Sequence, residues 1–157
     1  MGGFKMTEEK KTTQKPETEN ELELLISRGF LTKDVKIGSK TYTVKTLSGE
    51  EISEVYVLIQ NVIDERHLDR DSITDPTFTT LQSIAILSFA LIGEDGKPFL
   101  GLPPTILDEP NAMKSYLIKY HKIGRMAWPL VEKMLNTYKE LNASVFSDVQ
   151  GDGLKNE

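Results

Sequence analysis

Apolar side chains are densest over residues 81–92, where only Gln82, Ser83 and Ser88 interrupt Leu, Ile, Ala and Phe. A helix that is apolar nearly all round has to be covered on most sides, so this run predicts a buried central helix against which the rest of the chain packs. Asp75 followed by Pro76 offers an N-cap and a first-turn proline, and Gly93 offers a stop. Ile84, Ile86, Leu91 and Ile92 would also suit a strand, but the length of the run between caps favours a helix. It is too short to cross a bilayer, which takes about 20 apolar residues.

The other segments carry weaker periodicities. Leu22, Leu25 and Ile26 share one face of a short helix over residues 20–28 that ends at Gly29, marginal by itself. Val35, Ile37, Tyr42 and Val44 alternate with polar residues about a Gly38-Ser39 turn, which predicts a β-hairpin with Lys36, Thr41, Thr43 and Lys45 on its wet face. Ser48-Gly-Glu-Glu51 is a capping box that opens a helix, with Ile52, Val55, Tyr56, Ile59, Val62 and Ile63 as its apolar stripe. Residues 93–98 form a tight turn by composition, and residues 99–107 are apolar but broken by prolines, so they should run extended across the core. Asp108-Glu-Pro110 then caps a long helical region with Met113, Tyr116, Leu117, Tyr120 and Ile123 on one face. Pro129 should break it after Ile123, because an interior proline costs about 3 kcal/mol. The stripe resumes through Trp128, Val131, Leu135, Tyr138 and Leu141 to Val145 and Phe146.

The predicted fold is α+β and mainly helical: one N-terminal β-hairpin packed with four to five helices around the buried central helix. Residues 19–146 form a single globular domain, enough chain for one core. Residues 1–18, rich in Lys, Glu, Thr and Gln, are expected to be a flexible polar arm, and residues 147–157 a polar tail.

Composition narrows the function more by exclusion than by pointing to one. A net charge of -5 among 157 residues argues against a nucleic-acid surface built on bulk charge. Zero cysteines rule out disulfides, thiolate catalysis and Cys-ligated metals. Residues 1–6 have no signal-peptide core, and Met6 stands where a myristoylation motif wants Ser or Thr, so the chain is expected to stay in the cytoplasm when made and off membranes.

Candidate chemistry is sparse. His67 and His121 fall on different elements, with no acid or hydroxyl at a spacing that specifies a triad. Asp69, Asp71 and Asp75 do not fit an EF-hand, which needs Gly where Thr74 stands and an acid where Thr80 stands. Gly93 to Gly96 lack the strand-to-helix setting of a phosphate cradle. No enzyme, metal site or cofactor is expected. Tyr116, Tyr120, Trp128 and Tyr138 line the C-terminal helices beside Lys114, Lys119, Lys122, Arg125 and Lys133. Such a stripe is either core or a docking face, and in the second case Tyr116, Tyr120, Arg125, Trp128 and Tyr138 are the partner-binding candidates.

One resemblance adds to this. A polar leader, a short helix ending Ser27-Arg-Gly-Phe30, a hairpin over residues 35–44, the run Lys45-Thr-Leu-Ser-Gly-Glu-Glu51 opening a helix, a buried helix, and a turn from Gly93 to Pro98 follow in one order. That arrangement, over residues 24–140, resembles the bacteriophage tail assembly chaperones, small proteins encoded among phage morphogenesis genes. The resemblance implies a cofactor-free α+β protein that binds a phage structural protein, typically the tape-measure chain, in the host cytoplasm before the tube polymerises. A second class stays open: a structural subunit of the virion head, neck, tail or baseplate, with arms ordered by neighbouring tail or capsid subunits and with self-association as an option. The family has no fixed site motif, so no binding residue carries over.

Overall fold

The computed structural model describes residues 17–155, with side chains described for residues 21–146. Five helices and four strands follow in the order α1 Glu17–Arg28, β1 Thr32–Ile37, β2 Lys40–Lys45, α2 Gly49–Glu65, α3 Asp75–Ala90, β3 Leu91–Glu94, β4 Lys97–Pro98, α4 Ala112–Gly124 and α5 Trp128–Lys155. The α+β, mainly helical architecture is as the periodicities predict. The arm expected over residues 1–18 lies outside the described residues except for its last two, which open α1.

α3 is the centre. It packs on α2, α4 and α5 and on strands β2 and β3, and Leu87, Ala85 and Ala90 are fully enclosed. Its two buried serines spend their hydroxyls locally: Ser83 donates to the Thr79 carbonyl and Ser88 to the Ile84 carbonyl, each at 2.8 Å. The cap is Thr74, whose hydroxyl accepts from the Thr77 amide, so Asp75 and Pro76 sit inside the first turn.

The C-terminal end of α3 departs from expectation. Gly93 is not a helix stop. The chain passes from helix to strand between Ala90 and Leu91 with no connecting loop. β3 pairs antiparallel with β2, with a register shift between Thr43 and Val44 that leaves Ile92 as the extra residue. Gly93 is needed there for closeness, since a Cβ on it would lie 3.0 Å from the Thr43 Cβ. The sheet therefore holds four strands in the order β1-β2-β3-β4, not one hairpin. Asp95 and Gly96 close the second hairpin with φ of 53° and 77°, the two left-handed positions of a type I′ turn. The Asp95 carboxylate also accepts from the Thr41 amide at 2.8 Å, pinning that turn to β2.

α1 ends as predicted at Gly29, φ 87°, whose amide donates to the Leu25 carbonyl. The Ser48–Glu51 capping box is present in both directions. The α2 stripe is rotated from the expected one: Val55, Leu58, Ile59, Val62 and Ile63 are buried, while Ile52 and Tyr56 face outward. Asp108-Glu-Pro110 does not cap α4. Asn111, at φ 61°, precedes it with no side-chain cap. Pro129 lies in the first turn of α5, after a break at Arg125 to Ala127, and α5 continues to Lys155, so the expected tail is helical from residue 147 to 155.

Candidate functional site

Polar groups inside this core are few, and three of them gather where β2, α2 and α4 meet. Lys45 was expected on the wet face of the hairpin but is fully buried. Its ammonium lies 2.6 Å from both carboxylate oxygens of Glu51 and also donates to the Thr46 carbonyl at 3.3 Å. Glu51 in turn accepts from the Ser48 amide at 3.0 Å, so one carboxylate both closes the α2 cap and neutralises β2. Burial pushes the Lys45 ammonium down from its ordinary range, against the pull of Glu51. A buried pair of this kind is strongly destabilising to break, although it adds little net stability over an apolar pair.

Lys119 on α4 is the odd member. It is 2 % exposed, and its ammonium sits 5.9 Å from the ring centroids of both Phe99 and Tyr116. Among the described residues it forms no ion pair or hydrogen bond. Burial, and then the charge of Lys45, lower it from 10.5 to about 7, only partly offset by Glu51. Glu51 thus pairs with Lys45 and acts on Lys119 only at a distance. A near-neutral amine is a competent nucleophile, but this one is enclosed by the aromatic rings. Tyr116 stacks on Phe89 at 3.8 Å, and burial drives its phenol up to about 12.

Elsewhere the described residues hold little that could do chemistry. His121 Nε2 lies 3.0 Å from a Glu65 carboxylate oxygen at the surface, a pairing across α4 and α2 that spacing alone did not give. No hydroxyl bonds to that histidine among the described residues. Asp69 caps a single turn at Arg70–Ser72, and among the described residues no three His, Cys, Asp or Glu side chains converge to hold a metal ion. No described helix is long and apolar enough to cross a membrane.

The five partner-binding candidates are split by the fold. Tyr116, Tyr120 and Tyr138 are core residues and present nothing to a partner in this conformation, because the α4 and α5 faces that carry them turn onto α3. Arg125 is exposed and Trp128 is 44 % exposed, at the break between the two helices.

Two apolar surfaces lie elsewhere. The larger is a groove of about 540 Å³ between α1 and α5, lined by Leu25, Leu47, Ala143, Val145 and Phe146. Its surroundings are unusually apolar for a surface: Phe146 is 66 % and Ile26 85 % exposed. The second is a cleft of about 370 Å³ between α2 and the start of α3. The signal for the groove was in the sequence: α1 has an apolar face too short to fold alone, and the α5 stripe runs past Leu141 to Phe146. Neither a family model, a curated protein nor a solved structure matches the chain.

Proposed function

We propose that this protein acts by binding another protein during bacteriophage morphogenesis, as a tail assembly chaperone, with the α1–α5 groove as its docking surface. The observation that carries the proposal is the apolar lining of that groove, Leu25, Leu47, Val145 and the exposed Phe146 above all. Such a surface is costly to leave in water and is suited to an apolar helix laid along it. A chaperone that shields a tape-measure chain until the tube forms needs a surface of this kind and no catalytic machinery. The test is co-expression with a tape-measure chain followed by size-exclusion chromatography. The native chain should co-elute with it and keep it soluble, and Ala143→Lys with Phe146→Lys, both at exposed lining positions, should abolish co-elution without lowering the thermal midpoint. Retention of the complex by that double variant would refute the groove.

A second reading, a structural virion subunit, is favoured by α5, which stays helical beyond Phe146 as far as Lys155. A helical extension of this kind suits an arm held by neighbouring subunits. Peptide counting in purified particles separates the two: a fixed copy number supports the subunit, and absence supports the chaperone.

A further inference from the structure

We infer that the cleft between α2 and α3 is a second docking face, and that its occupant is an amphipathic helix of a partner protein with apolar anchors flanked by Lys or Arg. The floor is apolar: Ile59 and Ile63 of α2, with Ile73 from the connection and Phe78 from α3. The edge is also apolar where water would be expected. Tyr56 is 54 % exposed, and Ile52, four residues before it on α2, is exposed as well. Tyr56 and Ile52 are one helical turn apart, so they make a ridge along the mouth of the cleft. A tyrosine on such a ridge offers large contact area with little rotamer entropy to lose, which is what interface hot spots use.

Charge selects the occupant. Asp75 and Arg70 line the cleft, Asp64 accepts from the side-chain amide of the lining residue Gln60 at 2.8 Å, and Asp69 and Asp71 flank Arg70 in the chain; all four aspartates are exposed. Arg66 is turned away, its guanidinium 6.0 Å from the Tyr120 ring centroid on the α4 side. None of the four aspartates is in an ion pair with a described residue. An apolar cleft with this rim repels nucleic acid and acidic peptides and attracts a basic amphipathic segment, chiefly through its rate of association. The acidic connection that fits no metal loop thereby acquires a role. This face is separate from the α1–α5 groove, so a chain using both would hold two protein segments at once.

The probe is a 16-residue peptide of leucine and lysine at helical spacing, titrated into the full chain and followed by amide NMR, with a leucine and glutamate peptide of the same pattern as control. The lysine peptide should shift the amides of Tyr56, Ile73 and Phe78 and bind at least tenfold more tightly than the glutamate peptide. Its affinity should fall several-fold between 50 and 300 mM salt, as about a twofold shorter screening length weakens exposed charge pairs. Tyr56→Ala and Asp71→Lys, both at exposed positions, should each weaken it about tenfold, whereas Phe146→Lys should leave it unchanged. Equal binding of the glutamate peptide, or shifts gathered at Leu25, Leu47 and Phe146, would overturn the inference. Failure here leaves the groove standing, and loss of the groove leaves this cleft standing.

Discussion

Replacing Lys119 with methionine should stabilise the protein, and the size of the gain should depend on pH in a way that identifies its cause. Methionine keeps the length and apolar stem of lysine and removes only the ammonium, so the packing against Phe99 and Tyr116 is retained. In the unfolded chain Lys119 titrates near 10.5, and in the folded chain near 7. Above 10.5 the amine is neutral in both states and carries no penalty. Between 10.5 and 7 the unfolded state binds a proton that the folded state refuses, so stability falls by about 1.4 kcal/mol for each unit of pH lost. Below 7 both states are protonated and the penalty is constant at about 5 kcal/mol, the full shift converted at that rate. Urea unfolding of the parent and of Lys119→Met at pH 6, 7, 8 and 9.5 measures this directly. The variant should be more stable by about 4 kcal/mol at pH 7 and by about 1.4 kcal/mol at pH 9.5. The repulsion from Lys45 is part of the Lys119 shift and is removed with the ammonium, while the buried tyrosines cancel from the difference, their raised pKa values costing stability only above about 10. A variant less stable than its parent at pH 7, or an advantage that does not shrink toward pH 9.5, would refute the reasoning and mean that the Lys119 ammonium has a partner.

Two further outcomes follow from the same core and its edge. Glu51→Gln should cost about 3–5 kcal/mol in urea unfolding at pH 7, because it leaves the Lys45 charge buried and unpaired, and Lys45→Met combined with Glu51→Leu should recover most of that loss. Gly96→Ala should cost about 1–2 kcal/mol with an unchanged urea m-value, since no atom lies within 4 Å of the added Cβ and the penalty is the left-handed backbone alone.

The helices were legible in the sequence wherever a stripe of apolar residues and a local stop coincided, as at α1 with Gly29, at the Ser48 capping box, and at the break before Pro129. The sheet was legible only in its first half. β3 hides inside the apolar run because Leu91 and Ile92 continue the composition of α3, and periodicity over four residues cannot separate a buried strand from one more helical turn. Lys45 was misplaced by the alternation rule, which assigns a face but knows nothing of what another element brings to it. The partner was six residues away in Glu51, already accounted for by its cap. For Tyr116, Tyr120 and Tyr138, residue type alone left core and interface open. Burial places these three in the core, and exposed apolar positions are found instead at Ile26, Tyr56, Trp128 and Phe146 among others, which the stripes included without showing that they face outward.

The direct passage from Ala90 to Leu91 also fixes the length of the chain at that point. An extra residue on the helical side would turn the buried face of α3 by about 100° relative to the sheet. The same insertion on the strand side would send Leu91 and Gly93 to the opposite face of β3 and drive a side chain into Thr43. A loop would absorb such a change by bulging into solvent. Here there is no slack, so helix and sheet have to be inherited as one piece, and any drift in chain length must be taken up in the connections on either side.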